Sequence, residues 1–363
     1  MFYDLLYPLK DQWFIFNVFR YITFRAVGAS VTAFMISIVL GPVFIRWLVR
    51  LNMMNEVKRG YAEKIHSFYA AKASVPTMGG LLIVGSLLLS NLLWGNLHNR
   101  FMVMGLVVIA WFGFIGMADD FLKLKQKQGG RGLSGCVKLG GQLALGILLG
   151  VYLYVDSDFS KWLYVPFVKQ VAVPLGIWFV PFTVLVLVGT TNALNLTDGL
   201  DGLAVGCLAF AAGAFSILTY VTGHATFAHY LGIPFISDAG ELTVLCTSLV
   251  GAAVGFLWYN SYPATIMMGD TGSLALGGAL GLVAIVIKSE LVLLMVGGIF
   301  VWEALSVILQ VASFRCFGKR IFLMAPFHHH LQLKGWPESK VTVRLWIVAF
   351  VLALIGLATL KLR

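Results

Sequence analysis

Apolar residues in this chain come in long blocks with few polar interruptions, and those blocks set the expected architecture. About ten stand out: roughly Ala26 to Ile45, Met78 to Trp94, Phe101 to Met117, Leu139 to Tyr154, Val171 to Val188, Leu203 to Val221, Leu242 to Tyr259, Leu274 to Ile287, Leu291 to Phe314, and Val341 to Leu360. An apolar run of roughly 20 residues crosses a bilayer as a helix, because hydrocarbon offers no water to satisfy a free backbone amide or carbonyl. The pattern predicts an all-α, polytopic integral membrane protein with about ten transmembrane helices, organised as a single transmembrane domain over 1–363. Residues 1–25, rich in aromatics from Trp13 to Tyr21, read as an interfacial N-terminal segment. Asp4, Lys10, Asp11, Arg20 and Arg25 interrupt any early apolar core, so no cleavable signal peptide is expected. Pro174 and Pro181 predict a kink in the fifth run.

Composition excludes a soluble domain. The chain is 59% hydrophobic and 12% charged, against about 25% charged in ordinary soluble domains, and its mean hydropathy is +0.88. Cys136, Cys207, Cys246 and Cys316 lie far apart with no C-x-x-C spacing, which predicts packing thiols and neither a zinc site nor a disulfide framework.

Charge then orients the helices. The segments 46–72, 123–138 and 315–344, which follow odd-numbered runs, hold seventeen of the 26 Lys and Arg. The positive-inside rule places those loops in the cytoplasm and both termini on the extracytoplasmic side. The net charge of +10 therefore lies beside the membrane, where the lipid bilayer is its partner, and nucleic acid is excluded as one.

Acids are scarce, yet five aspartates sit where apolar runs end on the cytoplasmic side: Asp119, Asp120, Asp198, Asp201 and Asp270. A carboxylate beside hydrocarbon is costly, so the cluster predicts a metal or proton site. Asp119 and Asp120 are consecutive, which on a helix turns their side chains apart by about 100° and predicts different tasks for the two. Asn192, Asn195, Asp198 and Asp201 recur at every third residue before two glycines, the pattern of a distorted or broken helix lining a cavity. Asp270, between Gly269 and Gly272, falls at the amino end of an apolar helix; the position serves a cap or a phosphate and its metal equally. His328, His329 and His330 are consecutive, unlike a helical zinc motif, and the acids nearby favour a hard ion, so a phosphate or transition-state contact is expected of them. Glu303 lies mid-span with Ser306 and Gln310 at helical spacing, and a hydrogen-bonded contact between helices is favoured there over chemistry.

Six strings carry a resemblance: Pro76-Thr77-Met78-Gly79-Gly80, Asp119-Asp120, Asn195 to Gly202, Met268 to Ser273, Ala325 to His330, and Lys334-Gly335-Trp336-Pro337. In this order they resemble the phospho-N-acetylmuramoyl-pentapeptide transferases, of the polyprenyl-phosphate N-acetylhexosamine-1-phosphate transferase superfamily, from about Phe16 to Arg363. The resemblance implies transfer of phospho-MurNAc-pentapeptide from UDP-MurNAc-pentapeptide to undecaprenyl phosphate at the bacterial cytoplasmic (inner) membrane, giving lipid I and UMP with Mg²⁺. It also implies a homodimer. By the family pattern Asp270 is the Mg²⁺ ligand, and Asp119 or Asp120 deprotonates or positions the lipid phosphate. Lys72, Thr77, Asn192, Asn195, Asp198, Asp201 and Asn260 line the substrate side, Lys138 contacts phosphate, and the three histidines approach the diphosphate or sugar. Two departures stand out: Lys72-Ala73-Ser74-Val75-Pro76-Thr77 replaces Lys-x-Gly-Thr-Pro-Thr, and Met267 replaces an aromatic residue. A UDP-GlcNAc transferase acting on a polyprenyl phosphate is the alternative within the enzyme class. A secondary transporter with aspartate ion sites is the alternative outside it, although no internal repeat is evident.

Overall fold

The computed structural model describes residues 1–54, 75–125, 132–168 and 172–361, so Lys72, with Ala73 and Ser74, lies outside the described residues. Besides the short helices Phe2–Leu6 and Ala225–Leu231, its α-helices are α1 Ile22–Arg50, α2 Gly80–Trp94, α3 Arg100–Lys125, α4 Gly135–Val155, α5 Phe179–Thr197, α6 Leu203–Thr222, α7 Leu242–Asn260, α8 Gly269–Val286, α9 Glu290–Val296, α10 Gly298–Phe317, α11 Phe327–Leu333 and α12 Glu338–Ala358. Nine helical spans among the described residues are long and apolar enough to cross a membrane, and the apolar α2 is shorter at 15 residues. Together they account for the ten runs, and the protein is an all-α, multi-pass membrane protein.

Two details differ from the pattern of hydropathy. The run from Leu291 to Phe314 is broken: α9 ends at Val296, Gly297 is not helical, and α10 starts at Gly298. Two adjacent glycines in an otherwise continuous apolar stretch supply the break. The second detail is the fifth run. Pro174 ends a strand, β2 Ala172–Pro174, paired antiparallel with β1 Trp162–Tyr164, and Pro181 sits in the first turn of α5, where its missing N–H costs nothing.

α8 is the axis of the bundle. Every residue from Thr271 to Val286 is buried, and the helix packs against α3, α5 and α2. Water is absent from the bilayer core, so helices there associate by close packing, and small residues permit it. Ala275, Gly277, Gly278, Ala279, Gly281 and Ala284 provide that surface on α8. At Gly116 of α3 the approach is so close that a Cβ there would overlap the backbone of Asp270 and Thr271. The C-terminal end of α3 is thereby set against the N-terminal end of α8.

The outer helices behave differently. α10 packs mainly on α5 and leaves Trp302, Leu305, Ile308, Leu309 and Phe314 exposed. Between α5, α8, α9 and α10 lies an apolar cavity of about 330 Å³ that reaches Leu194 and Gly277. At the bundle end where α1 and α7 begin, buried Arg25 pairs with Glu241 through both terminal guanidinium nitrogens, with Nη2 to Oε2 at 2.9 Å; the backbone N–H of Asn96 adds a 2.7 Å bond to Oε1.

Candidate metal and phosphate site

At the other end of the bundle, three helix termini converge. α3 supplies Asp119 and Asp120 near its end, α8 supplies Asp270 in its first turn, and α4 supplies Lys138 in its first. Asp120 fixes the start of α8. Its Oδ1 accepts the N–H of Asp270 at 3.1 Å, and its Oδ2 accepts the N–H of Thr271 at 2.9 Å and the Thr271 hydroxyl at 2.7 Å. A carboxylate at a helix amino end satisfies donors that have no partner within the helix and complements the dipole.

Asp119 has another set of partners. Its Oδ1 accepts the N–H of Leu133 at 2.7 Å, while Oδ2 faces Lys123 at 2.5 Å and Lys138 at 3.1 Å. Asp270 pairs through Oδ2 with Lys138 and, at 3.1 Å, with Lys123, and its Oδ1 accepts from Asn195 Nδ2 at 3.0 Å. The tasks of Asp119 and Asp120 are thus distinct, but the expected divergence of their side chains does not separate them in space. One oxygen of each of Asp119, Asp120 and Asp270 lies within 4.8 Å of the others. The amino end of α8 fits between the two, which brings Asp270 to both.

Three carboxylates here share two ammonium groups, leaving a formal negative charge among the described residues. Converging hard oxygen donors with surplus negative charge fit a divalent cation of the Mg²⁺ type, which is held by one or two carboxylates and by substrate phosphates. Lys123 and Lys138, both partly exposed, are placed to meet the same phosphates.

The turn joining α5 to α6 forms an adjoining wall. α5 ends at Thr197, and Gly202 takes φ +71 before α6 begins, so the helix breaks where the Asn and Asp spacing predicts it. Asp201 Oδ2 accepts the N–H of Ala264 at 3.0 Å. Asn260 Oδ1 accepts the N–H of Gly202 at 3.1 Å, and its Nδ2 donates to the Ile266 carbonyl at 2.8 Å. Both side chains therefore tie this turn to the loop that leads into Asp270. Asn192 is spent on a helix contact, donating to Gln142 Oε1 of α4 at 2.8 Å. Asp198 lies in the turn itself, partly exposed. Thr77 is held alongside: Met267 N–H donates to Pro76 carbonyl at 2.8 Å, and Gly79 N–H returns to Met267 carbonyl at 2.8 Å.

The three histidines open α11 and diverge. His328 is fully buried, and its Nδ1 lies 3.2 Å from Glu303 Oε2. His329 is buried, with Nδ1 2.9 Å from Gln332 Oε1. His330 is partly exposed; burial and Lys334 lower its pKa below the ordinary imidazole value, consistent with its Nδ1 accepting the N–H of Leu323 at 3.1 Å. Gln310, spaced with Glu303 along α10, accepts the N–H groups of Ile321 and Phe322 at 3.1 and 2.9 Å and so folds the following loop back on the helix.

Residues 102–288 match the model of glycosyl transferase family 4. The chain is 51% identical to the phospho-N-acetylmuramoyl-pentapeptide-transferase of Desulfovibrio desulfuricans, 50% to that of Solidesulfovibrio magneticus and 49% to that of Thermodesulfovibrio yellowstonii, in each case over 100% of both chains. The chain belongs to the phospho-N-acetylmuramoyl-pentapeptide-transferase family.

Within this transferase the family 4 segment spans Asp119 to Asp270 and ends before the histidines, whereas the match to the full-length relatives covers the whole chain. Four partners of the predicted site residues escaped sequence reasoning. Lys123 was legible, four residues after Asp119 on the helix, but was read only as a topology marker. Thr271 and Ser273 lie inside a motif yet carry no charge to single them out; Thr271 bonds Asp120, and Ser273 accepts from Asn195 at 2.8 Å. Gln142 was hidden in an apolar run.

Proposed function

We propose that this protein transfers phospho-MurNAc-pentapeptide from UDP-MurNAc-pentapeptide to undecaprenyl phosphate, forming lipid I and UMP, at the cytoplasmic face of the bacterial inner membrane. The observation that carries the reading is the convergence of Asp119, Asp120 and Asp270 within 4.8 Å of one another, with Lys123 and Lys138 bound among them. The apolar cavity reaching Leu194, one residue from Asn195, supports an acceptor whose lipid chain lies in the membrane and whose phosphate meets the acids. The basic segments 46–72, 123–138 and 315–344 support the cytoplasmic orientation of that end.

The chemistry follows from the charges. An anionic oxygen of the lipid phosphate attacks the phosphorus that bears the sugar; the new P–O bond forms as the bond from that phosphorus to the UMP oxygen breaks, and UMP leaves. A single displacement suffices, because the nucleophile arrives already deprotonated. Lys123 and Lys138 neutralise the diphosphate as charge shifts onto the leaving UMP. Asp119, which faces both ammonium groups, orients the acceptor phosphate, and Asp120 holds the first turn of α8 so that Asp270 stays in register. Asp270 is the principal Mg²⁺ holder, and Mg²⁺ bound there would supply further charge neutralisation on the diphosphate. The turn bearing Asp198 and Asp201, with Thr77 and Asn260 beside it, forms the nucleotide side; Lys72, outside the described residues, is assigned to that side by the family pattern alone. The test is product analysis with two donors: purified protein should convert UDP-MurNAc-pentapeptide and undecaprenyl phosphate to lipid I with equimolar UMP, and should leave UDP-GlcNAc unused. Preferential use of UDP-GlcNAc would overturn the assignment.

A further inference from the structure

Glu303 is an acid in mid-span that the transfer reaction does not use. Its surroundings give it a role. Both Glu303 and His328 are wholly buried. Oε2 of Glu303 lies 3.3 Å from the backbone nitrogen of His328, which donates to it, and 3.2 Å from His328 Nδ1. Donation by Nδ1–H to a carboxylate fixes the ring's orientation and puts its other nitrogen at the far edge. That nitrogen, Nε2, has no hydrogen-bond partner among the described residues. It abuts the backbone of Gly199, where a Cβ would overlap it. Gly199 lies between Asp198 and Asp201, on the turn proposed to form the nucleotide side.

We infer that Glu303 is a positioning residue, which holds the His328 ring against Gly199 and thereby sets the turn that carries Asp198 and Asp201 for the uridine nucleotide. The chain of contact runs from α10 through α11 to the end of α5, three elements distant in sequence. It explains why residue 199 must lack a side chain: the imidazole occupies the space that a Cβ would need. It also explains why a carboxylate is kept in a buried place, since an apolar residue at 303 would leave both the Nδ1–H and the N–H of His328 without an acceptor, a costly omission inside a protein. His328 then acts from behind the turn and not as a direct ligand of the diphosphate.

The inference rests on the nucleotide reading of this turn, and equilibrium binding of UMP to the purified, detergent-solubilised protein tests both. Glu303→Leu should weaken UMP binding about tenfold or more, the scale of a lost charged hydrogen bond, while Glu303→Gln, which keeps an acceptor opposite Nδ1, should stay within about threefold of wild type. On a His328→Ala background, Glu303→Leu should add less than about twofold, because both changes break one interaction. Gly199→Ala provides a second route that leaves Glu303 intact: it should weaken UMP binding, but on a His328→Ala background it should add less than about twofold, because the space its Cβ needs is then vacant. UMP binding by Glu303→Leu equal to wild type, or multiplicative effects of His328→Ala with either Glu303→Leu or Gly199→Ala, would overturn the inference alone. A wild-type protein that binds no UMP would overturn the proposed function together with it.

Discussion

Acids meet bases at both ends of this bundle, and the two meetings are built to different rules. At the end where α1 and α7 begin, one carboxylate faces one guanidinium: both oxygens of Glu241 are engaged by Arg25, and Asn96 N–H completes the set. At the end where α3 finishes, three carboxylates share two ammonium groups, and the two acids of α3 are anchored by backbone bonds from Leu133, Asp270 and Thr271. The first arrangement is closed, with charge matched and no vacancy for a ligand's charge. The second keeps acids close together at the expense of mutual repulsion, and a fold keeps such repulsion where a cation or a reacting phosphate offsets it. Balanced charge thus marks the clamp and unbalanced charge marks the chemistry.

That contrast can be broken by mutation. The largest effect is expected of Asp270→Asn, which removes a carboxylate paired with both lysines: Mg²⁺-dependent turnover should fall by about a thousandfold or more while the thermal midpoint and detergent elution profile stay near wild type. Normal turnover would remove Asp270 from the metal role. Arg25→Met should act in the opposite way, leaving Glu241 buried without its partner at a cost of about 3–5 kcal/mol of stability, read as a lower thermal midpoint, with turnover per folded molecule unchanged. A loss of turnover without loss of stability there would erase the distinction between the two ends. Lys123→Met should lower kcat by about 10²- to 10³-fold, the usual cost of a missing charged donor at a phosphate or oxyanion, with folding retained. The smallest effect is expected of Asn192→Ala, which loses a hydrogen bond to Gln142 between α4 and α5: about 1 kcal/mol of stability and little change in UMP affinity.

How much of this was legible beforehand depended on whether the signal was local. The spans were legible, because hydropathy is a property of consecutive residues and the bilayer enforces helices. The break at Gly202 was legible from the spacing of Asn192, Asn195, Asp198 and Asp201. The break at Gly297 was not, because both sides of it are equally apolar and lipid tolerates the outward face of α10. Charge located Asp119, Asp120 and Asp270 as a set; that Asp120 faces the backbone of α8 and Asp119 faces the lysines depends on the packing of α3 at Gly116, which no local pattern encodes. Glu303 was readable as a contact between elements, but its partner, 25 residues away, required the fold.

The account stands or falls on the acids of α3 and α8 serving metal-assisted phosphoryl transfer to a lipid. The direct measurement is radiolabel transfer by the purified protein from UDP-MurNAc-pentapeptide to undecaprenyl phosphate, run with Mg²⁺, with a chelator, and with Mg²⁺ restored. A labelled lipid that forms with equimolar UMP, disappears on chelation and returns with Mg²⁺ is the predicted result. Absence of a Mg²⁺-dependent lipid product from folded protein, with both substrates present, would contradict it.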